Sequence, residues 1–194
     1  MKCPYAQRTW IALEESGTPY DMNEISLYGS GGKPDWFMKL NPKGEVPVLV
    51  VEGSPIVGSE ETVDFLMIKD IVDSEGVERT TTASRWRALI NEKLKPVGKR
   101  AVFSGGSRAD VASLNAVLNE LDSCLGEKAG DGDGPFVDGS MFTAADASAF
   151  PFLQRIHGEF GFPAGCAWLE TWYASACRRP SVKKTIRKDF WWWW

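Results

Sequence analysis

The sequence predicts an α/β N-terminal domain joined by a polar linker to an all-helical C-terminal domain. Three observations predict it. The stretch "VPVLVVEGSPIVGS" holds two apolar runs around a tight turn, the pattern of a β-hairpin, and lies between helix-periodic segments. "DSEGVERTTT" is polar and poor in apolar residues, as linkers between domains are. Beyond it, apolar residues recur at helical spacing and nothing alternates like a strand. The division that follows is a domain over residues 1–72, a linker over 73–82 and a helical domain over 83–194.

Each element has its own signal. Between Pro4 and Ser16, Tyr5, Ala6, Trp10, Ile11 and Leu13 fall at helical spacing, with proline in the first turn and Gly17 just past the end. "YDMNEISL" roughly alternates and predicts a short strand; a glycine-rich loop and a helical turn, "DWFMKLN", follow. The hairpin strands are Val48 to Val51 and Ile56 to Val57, turning through Glu52-Gly53-Ser54-Pro55. Ser59 then caps a helix from Glu60 to Val72, with Glu60 and Glu61 in the first turn, where the helix dipole favours acids. In the second half, helices are expected at Ala83 to Val102, Ala109 to Leu125, Thr143 to His157 and Cys166 to Cys177, with a last short one from Ser181. The Asp-Gly pairs in "GEKAGDGDGPFVDGSM" lack the ligand spacing of a calcium loop and predict only a turn.

Bulk properties exclude several partner classes. With 194 residues, 43% of them hydrophobic, the chain can bury a sizeable core. A net charge of -4 and a pI near 5.2 give no basic field for nucleic acid or an anionic membrane surface. No apolar run is long enough to span a bilayer and the N-terminus lacks a signal-peptide pattern, so a cytoplasmic location is expected. Cys3, Cys124, Cys166 and Cys177 are widely spaced, without a Cys-x-x-Cys pair, so no metal site is expected. The single histidine, His157, lies far along the chain from Cys3, and a surface or core position is expected for it.

The residue that invites chemistry is Cys3, in "MKCPYAQRTWIALEE". It directly precedes the first helix, where unpaired backbone N–H groups and the positive end of the dipole favour a thiolate over a thiol. Lys33 follows "GSGG", but Pro34 stands where a phosphate loop needs Ser or Thr, so that reading fails. Glu61-Thr62, near a helix start, pairs an acidic side chain with backbone donors, a combination suited to a zwitterionic ligand. "FTAADASAF" places Thr143 and Asp146 at the spacing of a capping box.

These motifs, in this order, resemble the cytosolic glutathione transferases, and most closely their cysteine-type branch: the omega, lambda and dehydroascorbate-reductase-like classes. The resemblance covers nearly the whole chain. It implies a thioredoxin-like N-terminal domain and an all-α glutathione-transferase C-terminal domain, with Cys3 as catalytic nucleophile. In "GKPDWFMKLNPKGEVPVL", Lys33 matches a lysine that reaches the glycyl carboxylate of glutathione. In the same stretch Val46-Pro47 matches a cis-proline turn whose preceding residue, Val46, pairs with the cysteinyl part. In "SEETVDFLMIKD", Glu61 matches the acid that takes the γ-glutamyl amino group, and Thr62 stands for the serine that holds its carboxylate; the register can also be read one residue away, with Ser59 and Glu60 as ordinary caps. "WLETWYASACRRPSVKKTI" resembles the family's penultimate helix and the segment ending it.

The resemblance implies an enzyme that uses glutathione as co-substrate and no metal: a thiol transferase or reductase acting on disulfide, glutathionylated or dehydroascorbate-type substrates. Ala6, where a resolving cysteine would stand, implies a monothiol route. Conjugation of glutathione to electrophiles, or a non-enzymatic binding or channel-like role, are the alternatives. The assembly would be a monomer or homodimer. Trp36, Trp86 and Phe103 are candidates for lining a substrate cleft, with core packing the alternative for each.

The chain departs from the family in one respect. A first, central strand precedes the cysteine in this fold, yet only Met1 and Lys2 precede Cys3 here. A sheet of three strands or fewer is therefore expected, with the strand near Asp21 to Ile25 weakly paired. The closing "KDFWWWW" places four tryptophans in a row, which cannot all face one core from a helix.

Overall fold

The computed structural model describes residues 3–26, 32–68, 81–127 and 134–186. Most of the expected linker, from 73 to 80, and the tryptophan-rich end lie outside the described residues.

Helix α1 (Pro4–Ser16) opens with proline, whose missing N–H is no loss in a first turn, and stops at Gly17 in the left-handed region. It is buried on nearly all sides, from Pro4 and Ala6 through Leu13, because both domains pack on it. Helix α2 (Asp35–Leu40) leads to strands β1 (Val48–Val51) and β2 (Ser54–Val57), which form an antiparallel hairpin. The turn is only two residues, Glu52-Gly53, both at positive φ, as the twist of a tight hairpin requires; Ser54 and Pro55 belong to β2. Helix α3 (Ser59–Leu66) follows, with Gly58 as its cap; Ser59, expected as the cap, is the first helical residue.

Helix α4 (Thr81–Ala88) runs through a π-helical turn, Leu89–Leu94, into α5 (Lys95–Phe103). Pro96, unable to donate to a preceding carbonyl, lies just beyond that turn. Helices α6 (Arg108–Glu127), α7 (Ala144–Phe160), α8 (Ala167–Arg178) and α9 (Pro180–Thr185) complete the C-terminal domain. Its core is built on Trp86 and Trp172, ring centroids 5.6 Å apart, with Phe150, Leu114, Leu118 and Leu121. Trp86, a cleft candidate in the sequence, is therefore core. The Thr143–Asp146 capping box forms, and Asp146 also accepts from Val137 N–H at 3.0 Å and Trp172 Nε1–H at 2.6 Å.

The sheet has two strands among the described residues. The strand expected in "YDMNEISL" is not one: 20–26 carries no regular secondary structure and belongs to no ladder, and position 27 lies outside the described residues. The reason is the lack, among the described residues, of a neighbouring strand to pair with. The hairpin register turns the backbone groups of Leu49 and Val51 toward β2, so those of Val48 and Val50 face the other way. There lies a cavity of about 1370 Å³, walled by β1 on one side and Thr18–Ser26 on another. Met22, Trp36, Val50 and Phe65, all 42–50% exposed, line it.

Candidate active site at the start of the first helix

Cys3 is half-buried at the N-cap of α1, with extended backbone, and its carbonyl accepts the first helical bond from Gln7 N–H at 3.1 Å. It lines the cavity together with Val46 and Pro47, whose connecting peptide bond is cis. Three of the residues singled out in the sequence thus line one cavity.

A hydrogen-bonded relay connects that cavity lining to α3. Pro47 carbonyl accepts from Gly58 N–H at 3.3 Å, and Gly58 carbonyl from Thr62 N–H at 3.2 Å. The Thr62 hydroxyl bonds the Thr9 hydroxyl at 2.5 Å and donates to Ser59 carbonyl at 3.1 Å. Thr62 is fully buried, so its side chain is spent joining α3 to α1, away from solvent. Thr62 N–H is the first to find a helical partner, which leaves the N–H groups of Ser59, Glu60 and Glu61 at the open helix end.

The two adjacent glutamates have different fates. Glu60 is paired with Arg8 and Arg87 and accepts from Asn91 Nδ2 at 3.1 Å and Ser148 Oγ at 3.2 Å. Burial works against its charge, but the two guanidiniums prevail and hold its carboxyl below the usual range. Glu61 is exposed and pairs with no cation among the described residues; its carboxylate folds back over Gly58. Lys33 is half-buried, its stem packed over Gly44, where a Cβ would lie 3.0 Å from both Cδ and Nζ; it is not part of the cavity wall.

Arg8 is the residue that sequence reasoning missed. It is fully buried one turn into α1, donating to Ser148 carbonyl at 2.6 Å, Ser59 Oγ at 3.3 Å and Asn91 Oδ1 at 3.0 Å. Burial pushes its pKa down to about 10, which leaves it charged at neutral pH. One signal was available: Arg8 shares a helical stripe with Tyr5, Ile11 and Ala12, and a charge on an apolar stripe needs a partner.

The remaining candidates lie elsewhere. His157 packs against Phe162 and Tyr173 in the helical domain, with Glu170 3.8 Å away. Cys124 and Cys166 are buried, and burial raises the pKa of Cys166 and Cys177. Among the described residues no helix is long and apolar enough to cross a membrane, and no cluster of three His, Cys, Asp or Glu side chains is placed to hold a metal ion. Phe103 is 66% exposed and Trp36 lines the cavity.

This arrangement is that of a glutathione transferase fold. The family model described as Glutathione S-transferase, N-terminal domain, matches residues 2–67, and that described as Glutathione S-transferase, C-terminal domain, matches 82–175; the chain belongs to the glutathione S-transferase family. Among curated relatives, the "Probable glutathione S-transferase DHAR2, chloroplastic" of Oryza sativa subsp. japonica is 28% identical over 162 residues, covering 82% of this chain and 54% of the relative. "Glutathione S-transferase DHAR2" of Arabidopsis thaliana is 29% identical, covering 82% and 69%. The chain thus spans about half to two-thirds of the length of these relatives. Glutathione transferase Omega 3C of Trametes versicolor shares the fold at a TM-score of 0.70 and 24% identity, covering 97% of this chain and 87% of that one. Ure2p in complex with glutathione does so at 0.76 and 17%, covering 95% of each.

The Glu60 pairing carries a pH signature. A carboxyl held below its free value contributes stability that is fully present above about pH 4.3 and is lost as pH falls through its folded value. Glu60→Gln should cost about 3 kcal/mol at pH 7 by leaving Arg8 uncompensated. The gap to wild type in thermal unfolding should narrow between about pH 5 and 3. A gap independent of pH would contradict the pairing.

Proposed function

We propose that this protein is a glutathione-dependent thiol transferase in which Cys3 is the nucleophile. The observation that carries the reading is the cavity that Cys3, Val46 and Pro47 line together, with the start of α3 tied to it by the Gly58 N–H to Pro47 carbonyl bond and Glu61, which has no cationic partner among the described residues, in the first turn of α3. Of the four thiols, Cys3 alone lines this cavity. The DHAR-type relatives and the Omega 3C neighbour support a reaction of this kind.

Glutathione would lie along this cavity. Its γ-glutamyl carboxylate meets the N–H groups of Ser59 and Glu60, and its ammonium meets Glu61. The Thr62 side chain contributes indirectly, by fixing α3 against Thr9. Lys33 reaches the glycyl carboxylate from beside Gly44, and Val46 backbone pairs with the cysteinyl unit.

In the reaction, Cys3 thiolate attacks the glutathionyl sulfur of a glutathionylated substrate. The substrate leaves as a thiolate and takes up a proton, and Cys3 becomes a mixed disulfide with glutathione. A second glutathione thiolate attacks that disulfide, releasing glutathione disulfide and regenerating Cys3 thiolate. One disulfide is reduced and one is formed. Ala6, in place of a second thiol, leaves external glutathione as the resolving group. A cytoplasmic site of action fits the need for a reduced glutathione pool.

Cys3→Ser should lower glutathione-dependent reduction of hydroxyethyl disulfide by at least about 100-fold, since an alcohol forms no mixed disulfide. Coupled-assay turnover surviving this change would overturn the mechanism. Conjugation of a chloronitrobenzene in the wild type, without disulfide exchange, would favour conjugation instead.

A further inference from the structure

The domain seam holds a second buried guanidinium besides Arg8. Arg155, on α7, is almost fully buried, and its Nη1 donates to Gln7 Oε1 at 2.8 Å and to Pro151 carbonyl at 2.6 Å. Both bonds fix the orientation of the group, and neither cancels its charge.

The Gln7 side chain it meets is equally fixed. Its Nε2 donates to Gln154 Oε1 at 3.0 Å and to Thr185 Oγ1 at 3.3 Å, while its Oε1 accepts from Arg155. An amide held from both ends keeps its oxygen aimed at the guanidinium. The backbone N–H of the same Gln7 bonds Cys3 carbonyl at 3.1 Å, so Arg155 is tied to the residue one helical turn from the thiol.

The charges follow this path. Burial pushes Arg155 down to about 10, Cys3 works in the opposite direction, and the guanidinium stays charged at neutral pH. Attraction between two charges is mutual, so a cation favoured by negative charge on Cys3 favours that charge in return. Its neighbours are otherwise engaged. Burial holds the Tyr5 hydroxyl above its ordinary range, with Arg8 opposing and Cys3 adding to the rise, so Tyr5 is neutral. Arg8 is balanced by Glu60, and Lys95, 5.0 Å over the Tyr5 ring, bonds Asn91 Oδ1 at 3.2 Å.

We propose that Arg155 is a positioning residue for the reaction: reaching from α7 across the domain seam onto Gln7, it supplies the positive charge that favours a thiolate over a thiol at Cys3. The proposal rests on the reading of Cys3 as the nucleophile. It makes the C-terminal domain part of what prepares that thiol.

The test is alkylation of Cys3 by two reagents. Iodoacetamide and iodoacetate react alike, the thiolate sulfur bonding the methylene carbon as iodide leaves, but iodoacetate carries a negative charge. A change in thiol exposure or thiolate fraction moves both rates together, whereas a positive potential at the sulfur raises the rate of the anion relative to the amide. The readout is the ratio of the iodoacetate rate to the iodoacetamide rate at the peptide containing Cys3, by quenched-flow mass spectrometry at pH 7.

Arg155→Gln should lower this ratio by about 5-fold or more, since a buried charge is screened less than an exposed one. Arg155→Lys, which keeps the charge, should stay within about 2-fold of wild type. Gln7→Glu sets a carboxylate against the intact guanidinium and should lower the ratio as Arg155→Gln does, a second route if that variant does not fold. Lys95→Gln should leave the ratio within about 2-fold.

An unchanged ratio in folded Arg155→Gln, or in Gln7→Glu, would overturn the proposal. A loss in Arg155→Lys or Lys95→Gln equal to that in Arg155→Gln would overturn it too. These measurements use no glutathione, so they can fail with the nucleophile reading intact; turnover surviving Cys3→Ser strikes that reading and leaves the charge at Cys3 measurable.

Discussion

The buried guanidinium of Arg8 is the constraint on which the two-domain arrangement depends. A charge removed from water is tolerated only where it is paired and hydrogen-bonded, and Arg8 meets this through partners on three other segments. Ser59 and Glu60 come from the start of α3, Asn91 from the π-helical turn, and Ser148 from α7. None of these segments can move away from α1 without stranding a charge. Gln7, one residue earlier, extends the seam: it donates to Gln154 at 3.0 Å and accepts from Arg155 at 2.8 Å. At the far end of α1, Arg179 clamps Glu15 through two bonds of 2.7 Å. The helix that carries Cys3 is thereby held along its length by the C-terminal domain, which offsets the small sheet on its other side.

This constraint also divides the labour at the start of α3. Two successive glutamates are chemically alike, yet one is the counter-ion of the seam and the other pairs with no cation among the described residues. What separates them is the helical rotation of about 100° per residue, which turns Glu60 toward Arg8 and Glu61 toward the cap. Thr62 takes a further step round and points inward to Thr9. Leftover valences therefore gather at this helix end: N–H groups with no helical partner and, among the described residues, one carboxylate with no paired cation.

The sequence makes the helices readable because each is written locally. Proline at position 4 and glycine at 17 bound α1 at the residues expected, and the apolar spacing beyond residue 81 locates every helix of the second half to within a few positions. The strand expected in "YDMNEISL" fails because alternation reports only a willingness to pair; the partner is a separate matter, and among the described residues none adjoins 20–26. Ser59 reads as a cap by composition, but Gly58 takes the cap position with a backbone conformation that no spacing rule reports. Trp86 is a cleft candidate in the sequence with core packing the commoner fate of such a residue, and its packing against Trp172 decides for core. Arg8 and Ser59 are 51 positions apart in a hydrogen-bonded cluster that also takes in Glu60, a long-range pairing that local pattern cannot announce.

The central claim is that the seam holds Cys3 beside a glutathione site and that this thiol is the one that reacts. Intact-mass and peptide mapping after brief exposure to glutathione disulfide tests it most directly. The account predicts a single glutathionyl group on the N-terminal peptide containing Cys3, with Cys177, the other half-buried thiol, unmodified. Modification of Cys177 in preference to Cys3, or no adduct at all, would contradict it.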